Sequence, residues 1–148
     1  VGGPAGFAAA LAAAGDDTTQ PERREPELNT AVPGDPRDNS TPRALVETLR
    51  GFALDGGLNE PDAETLIDWM SGNATGDTLI RAGAPAGWEV ADKSGTGQFG
   101  TRNDLAIVWP PDGEPIVIAV LTTRGVEGAT TDDRLVAEAA AVALGALD

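Results

Sequence analysis

Apolar residues recur at helical spacing through the first half of the chain, crowd into strand-like runs between residues 88 and 123, and return to helical spacing at the end. Pro4 suits the first turn of a helix in which Phe7 and Leu11 share a face until Gly15 closes it, so residues 1–15 are expected to be helical. From Asp16 to Thr41 neither period holds. Pro21, Pro26, Pro33 and Pro36, with Pro42 just beyond and charges between, predict a long ordered loop or a linker over residues 16–41. Structureless stretches longer than about 12–15 residues are usually functional or disordered. Residues 42–83 read as helices. Pro42 opens the first, with Leu45, Val46, Leu49, Phe52 and Ala53 as its apolar stripe and Gly56-Gly57 as its stop. Pro61 and Asp62 open the next, with Leu66, Ile67 and Met70 inward and a stop near Gly72-Asn73. Asp77 is expected to cap a short helical turn through Leu79 and Ile80.

Further on, Trp88–Lys93, Asp104–Trp109 and Pro115–Thr123 read as three strands over residues 88–123. The turns between them are too short for anything but antiparallel neighbours. Thr130 or Thr131 is expected to cap a last helix over residues 131–148, with Asp132 and Asp133 at its positive end. Leu135, Val136, Ala139, Val142, Ala143, Ala146 and Leu147 recur at helical spacing, which predicts that their face lies on the sheet. The fold class expected is α+β: helices, an antiparallel meander and a covering helix. The run Ile116-Val117-Ile118-Ala119-Val120-Leu121 is apolar on both faces, the pattern of a central strand. As the third strand of three it would leave an open edge, which invites aggregation, so a further strand is expected to pair with it. The chain is therefore expected to be incomplete. Its opening, Val1-Gly2-Gly3-Pro4, has neither a Met nor a signal-peptide pattern, and points to a processed product or a piece of something longer.

Composition narrows the chemistry. A length of 148 residues with 41% hydrophobic residues suits one domain with a core. With no histidine there is no Ser-His-Asp triad within the chain, no imidazole base and no histidine-bound zinc. With no cysteine there is no thiol catalysis and no disulfide. Ten Lys and Arg against 24 Asp and Glu leave a net charge of -14, which argues against a nucleic-acid partner. The apolar runs are too short to span a bilayer.

Lys93 is the only lysine and stands in Lys93-Ser94-Gly95-Thr96-Gly97. Strand alternation places Lys93 and Gly95 on one face and Ser94 and Thr96 on the other, and the glycines let a ligand backbone approach a sheet edge. A solvated lysine before a Gly-rich turn fits the same residues. In Arg23-Arg24-Glu25-Pro26-Glu27-Leu28-Asn29, a carboxylate on a constrained loop with an amide four residues later could hold and activate a water. A chain this acidic also has solvated carboxylates to spare. Arg23 or Arg37 could close the loop by an ion pair with Asp38, a role that needs burial because an exposed pair contributes only about 0–1 kcal/mol. Arg102 could bind a carboxylate through two parallel hydrogen bonds, or face solvent.

Taken together, Lys93-Ser94-Gly95 in a strand and Glu25-Pro26-Glu27-Leu28-Asn29 in a Pro-rich loop upstream resemble a class A serine β-lactamase. That family's motifs include a Ser-x-x-Lys nucleophile box, Ser-Asp-Asn and a Lys-Thr/Ser-Gly strand. The resemblance runs from Gly2 to the C-terminus. Arg23 and Asp38 fall where the family closes its loop with an ion pair, and Arg102 falls at its carboxylate-binding arginine. Three departures stand out. The only serines are Ser40, Ser71 and Ser94, none with a lysine three residues on; there is no Ser-Asp-Asn; and Arg24 stands where the family often has an aromatic.

The resemblance implies a β-lactamase/transpeptidase-like α/β sandwich of which residues 1–148 form the C-terminal part, with residues 16–41 as an omega-type active-site loop. It implies hydrolysis of a β-lactam amide through a serine acyl-enzyme, the serine lying in an N-terminal part outside this chain. Glu25 would be the base that activates the deacylating water, with Asn29 helping to hold it, and Lys93 would supply positive potential. Ser94, Thr96 and Arg102 would bind the substrate carboxylate along the Ser94-Gly95-Thr96-Gly97 strand, and the Thr96 N–H would be one oxyanion donor. Penicillin-binding transpeptidases share the strand but lack a carboxylate like Glu25, so the loop favours a hydrolase. The partners implied are a β-lactam antibiotic and the complementary N-terminal segment. No cofactor or metal is implied, and the location implied is secreted, periplasmic or cell-envelope. The alternatives are a catalytically inert β-lactam-binding module and an acidic interaction protein with vestigial motifs.

Overall fold

The computed structural model describes residues 1–147. Its elements run α1 Gly3–Ala13, a short 3₁₀ turn Glu27–Thr30, α2 Pro42–Ala53, α3 Glu60–Ser71, α4 Ile80–Gly83, β1 Glu89–Gly97, β2 Thr101–Trp109, β3 Ile116–Thr122 and α5 Asp133–Gly145. The strands form one antiparallel sheet in the order β1-β2-β3. Glu89 pairs with Trp109 and Gly97 with Thr101, while Arg102 pairs with Thr122 and Val108 with Ile116.

Alternation along the strands divides the core in two. Val90, Ala106 and Val108, with Ile116, Ile118 and Val120, pack against Leu79 and Ile80 and against Val136, Ala140 and Leu144 of α5. Ala91 and Ile107, with Leu105, Trp109 and Val117, pack against Leu49 and Ala53 of α2 and Leu66, Ile67 and Met70 of α3. The fold is α+β, a sheet with helices on both faces. This explains why 116–121 is apolar on every residue. Successive side chains of β3 serve opposite cores, yet β3 is an edge strand among the described residues and keeps every residue part-exposed.

The structure corrects several expectations. β1 continues through Gly97, so the Lys93-Ser94-Gly95-Thr96-Gly97 run lies inside a strand instead of closing one. A three-residue hairpin, 98–100, with positive φ at Phe99 and Gly100, then turns the chain into β2, which already contains Arg102. Trp88 precedes the strand. α1 stops at Ala13, with Gly15 beyond it at φ 94°, and buries only Leu11; Phe7 is exposed. Asp77 does not cap α4; the Ile80 N–H is instead met from the sheet, by Asp104 Oδ2 at 3.0 Å. The cap of α5 is Asp132, whose Oδ1 accepts from Leu135 N at 3.1 Å, and neither threonine takes that role. Its buried face is Val136, Ala140 and Leu144, spaced by four, whereas Leu135, Val142 and Leu147 are exposed. The wide apolar stripe was compatible with several faces, and the packing takes the one that meets α4. Asp148, inside the expected last helix, lies outside the described residues.

α4 and α5 touch closely at Gly83, where an added Cβ would overlap the Ala137 carbonyl and sit 2.9 Å from Ala141 N. Both are backbone atoms of α5 and cannot swing aside. Gly83→Ala is expected to destabilise the chain by about 1–3 kcal/mol through overpacking, read as a lower urea midpoint. Gly51→Ala is the control: its Cβ meets nothing within 4 Å on α2, and it is expected to stabilise by about 0.5–1 kcal/mol.

Candidate active site

The loop between α1 and α2 is closed at its neck. Asp16, buried at the end of α1, accepts from Thr18 N at 3.0 Å, Thr19 N at 2.9 Å and Thr48 Oγ1 of α2 at 3.0 Å. Thr19 Oγ1 lies 2.7 Å from Ser40 Oγ, and Gln20 and Asn39 form a backbone bridge. Inside the neck, Asp38 Oδ1 accepts from Glu22 N at 2.8 Å and Arg23 N at 2.9 Å, while its Oδ2 meets Arg23 Nε at 2.5 Å. Of the two arginines proposed for this ion pair, Arg23 makes it; Arg37 pairs with Asp35 at 2.7 Å. The Arg23 and Asp38 side chains are 18% and 10% exposed, so the pair has the burial that its role requires. Burial works against ionisation of Asp38. The amides of Arg23 and Glu22 and the Arg23 guanidinium outweigh it, and the carboxyl ionises below its ordinary range. Arg23 also reaches Thr30 Oγ1 at 2.8 Å, which ties the neck to the 3₁₀ turn.

That turn carries Asn29, whose partner Glu25 lies two residues before the turn begins. Asn29 Nδ2 donates to Glu25 Oε2, and the Asn29 carbonyl accepts from Gln98 N at 2.9 Å, just beyond β1. Gly97 makes this approach possible. A Cβ there would lie 3.1 Å from both the Asn29 carbonyl and Ala31 Cβ. The loop thus lies against the end of the Lys-Ser-Gly strand, and Asn29, Gly95, Thr96 and Gly97 line a common open cleft of ≈ 1080 Å³ that reaches to Leu45 and Leu121. Glu25 itself is exposed.

Alternation along β1 separates the remaining candidates. Lys93 is exposed and its Nζ donates to the Ser94 carbonyl at 2.7 Å. Among the described residues no hydrogen bond or ion pair joins it to Glu25 or Asn29. Ser94, Thr96 and Arg102 meet on the other face. Ser94 Oγ lies 2.7 Å from Thr75 Oγ1, and Arg102 donates to Thr96 Oγ1 at 2.8 Å and to the Thr75 carbonyl at 3.2 Å. Asp133 of α5 holds the other edge of the guanidinium, 2.9 Å from Nε and 3.4 Å from NH2. Hydrogen bonds from Arg102 and Thr78 keep the Asp133 carboxyl below its ordinary range. The Nε–NH2 fork is therefore occupied, and a ligand carboxylate would meet Arg102 through NH1, beside the Ser94 and Thr96 hydroxyls.

Thr75 and Asp133 were not singled out from sequence as site residues, nor were two carboxylates beneath them. Asp92 is fully buried, with Arg81 NH2 at 2.5 Å and Asn73 Nδ2 donating to it. Asp104, paired across the sheet with Ser94, is 1% exposed; Oδ2 accepts the Ile80 N–H and Oδ1 has no partner among the described residues. Burial pushes its pKa up to about 6, with the Asp92 charge adding to the rise. The signal was present in the chain. Both acids stand in phase with Val90, Ala106 and Val108, on the face that carries the apolar core before it turns polar at Ser94, Thr96 and Arg102.

A sheet covered by helices on both faces, with a Lys-Ser-Gly strand at one edge and a clamped loop against its end, is the architecture of a serine β-lactamase-type domain. The chain belongs to the β-lactamase family: it matches the family described as Beta-lactamase2, Beta-lactamase enzyme family, over residues 1–147. It is 55% identical to a β-lactamase of Bacillus licheniformis over 148 residues, covering 100% of this chain and 48% of that protein. It is 58% identical to a β-lactamase of Bacillus amyloliquefaciens over 97% of this chain and 47% of that protein. The crystal structure of a class A β-lactamase from Clostridium kluyveri DSM 555 superposes with a TM-score of 0.97 at 52% identity, covering 99% of this chain and 56% of that one. The chain spans about half the length of the curated relatives it matches.

Two outcomes follow from the carboxylates. Asp38→Asn is expected to cost about 1–3 kcal/mol and to speed hydrogen exchange at the Glu22 and Arg23 amides, because it weakens charge-assisted bonds at the loop neck. For pH the signs oppose. Asp38 and Asp133 add stability that is present above the ordinary carboxylate range and is lost as pH falls through their lowered values. Asp104 contributes stability that is fully present below its ordinary value of 3.8 and is lost as pH rises to about 6. Asp104→Asn should therefore flatten urea midpoints between about pH 4 and 7, a difference on the order of 2–3 kcal/mol.

Proposed function

We propose that this chain forms the C-terminal part of a serine β-lactamase, residues 1–148 of one domain, secreted or facing the cell envelope. The observation that carries the reading is the Asn29–Glu25 hydrogen bond on a loop whose Asn29 carbonyl is tied to Gln98 at the end of the Lys93-Ser94-Gly95 strand. It sets a carboxylate able to take a proton from water close to a strand able to bind a substrate. Acylation begins when a serine Oγ, supplied by an N-terminal part that carries Ser-x-x-Lys and Ser-Asp-Asn, attacks the lactam carbonyl. The C–N bond breaks and the ring nitrogen takes up the equivalent of the proton that the serine hydroxyl gives up, leaving a serine ester. Glu25 then removes a proton from a water that Asn29 helps to hold; the hydroxide attacks the ester carbonyl, and the serine oxygen leaves, taking up the proton that Glu25 gives back.

Lys93 provides positive potential, while Ser94, Thr96 and NH1 of Arg102 take the substrate carboxylate. The Thr96 N–H acts as one oxyanion donor, with Gly95 and Gly97 admitting the ligand backbone. The exposed apolar residues of α5 and the unpaired edge of β3 among the described residues support a complementary segment as partner. Ser40 and Ser94 engage Thr19 and Thr75, and the third serine, Ser71, bonds the Ile67 carbonyl; none has a lysine three residues on. The purified chain alone is accordingly expected to hydrolyse no penicillin.

Intact mass spectrometry tests the assignment. In the enzyme assembled with its N-terminal part, Glu25→Ala should acquire one penicillin and keep it, with turnover reduced by at least about 10²-fold. The added mass should lie on the serine-bearing part. Rapid release of hydrolysed product by Glu25→Ala would remove Glu25 from the base role, and turnover by this chain alone would overturn the division of labour.

A further inference from the structure

Asp104 has no part in the steps above, yet it lies beneath the residues assigned to the ligand carboxylate. It is two residues from Arg102 on the same strand face and directly across from Ser94. Few charged or polar groups surround it. β1 contributes Ser94 and Asp92, whose charge is already paired with Arg81. β2 contributes Arg102, and the segment leading into α4 contributes the Ile80 N–H. α5 contributes Asp133, engaged with Arg102, while β3 presents only Val120 in register. Among the described residues the ionised carboxyl therefore has one hydrogen-bonded amide and a bare oxygen, on the strand face that Ala106 and Val108 continue into the core. A buried charge so weakly solvated acts over distance, because little water screens it. The unengaged positive charge nearest to it along β2 is what Arg102 retains beyond its Asp133 contact.

We propose that Asp104 is a proton-linked positioning residue for Arg102: ionised, it lowers the positive potential that Arg102 offers an anionic ligand, and neutral, it restores that potential. The coupling acts near pH 6, where burial places Asp104, well above the lowered ranges of Asp38 and Asp133. It makes carboxylate binding stronger on the acid side. The ligand consequence rests on the reading of Arg102 given above; the coupling itself does not.

NMR titration of the whole chain separates the two. The Asp104 carboxyl ¹³C and the Arg102 Nε–H are expected to move together with a midpoint near 6, distinct from the low-pH step that Asp133 imposes on Arg102. Asp104→Asn should erase the upper step and leave the lower one. With phenylacetate as probe, affinity should weaken roughly threefold between about pH 5.5 and 7.5 in the native chain and stay level in Asp104→Asn. If Arg102 shows only the lower step while Asp104 titrates near neutrality, the proposal is overturned, a result obtained on the native chain without any variant. If the two groups co-titrate but phenylacetate perturbs neither Arg102 nor Thr96, the coupling stands and the carboxylate role of Arg102 falls.

Discussion

β2 is enclosed on all sides: β1 and β3 pair with its edges, α4 and α5 cover one face, and α2 and α3 cover the other. Ala106, Ile107 and Val108 are fully buried as a result, and alternate between the two cores. A three-stranded sheet with one free face would be marginal; covering both faces gives each residue of its central strand a packed neighbour. The site is built outward from the same strand. Arg102 and Asp104 continue the face of Ala106 and Val108 past the end of the apolar core, so that the polar residues of this face are extensions of the residues that pack. Rigid placement of Arg102 follows from its position inside a ladder, with Thr96 opposite and Asp133 arriving from α5.

The electrostatics of so acidic a chain are arranged around a few arginines. Arg23 holds the loop neck, Arg81 neutralises the buried Asp92, and Arg102 gathers Thr96, Thr75 and Asp133. Each brings together elements remote in sequence, and each is paired with an aspartate, whose short side chain keeps its carboxylate close to the backbone it anchors. Asp16 and Asp104 are buried without an arginine in contact; threonine N–H and O–H groups surround Asp16, whereas Asp104 keeps an oxygen without a partner among the described residues, and burial raises its pKa to about 6. Lys93 stands apart from all of these on the opposite face, facing solvent beside a loop that brings Glu25 and Asn29 to the end of its strand.

What the sequence by itself determined is what depends on local chemistry. Pro42 starts α2, Pro61 and Asp62 stand in the first turn of α3, and the period-2 runs with short turns require an antiparallel meander. The Lys93-Ser94-Gly95 and Glu25-to-Asn29 motifs were legible together through their family resemblance, which also pointed to Arg23–Asp38 where the residues alone left Arg23 and Arg37 as equal candidates. Tertiary structure alone decided which apolar stripe of α5 faces inward, since Leu135 and Val142 are as hydrophobic as Val136 and Leu144 and only packing against the sheet and α4 separates them. It alone made Asp104 the cap of α4 in place of Asp77, joined Thr75 to Ser94, and committed one edge of Arg102 to Asp133. These are pairings across 19 to 31 residues of chain. No local propensity encodes them, because their energy exists only after the sheet and its covering helices have closed around the same few buried polar atoms.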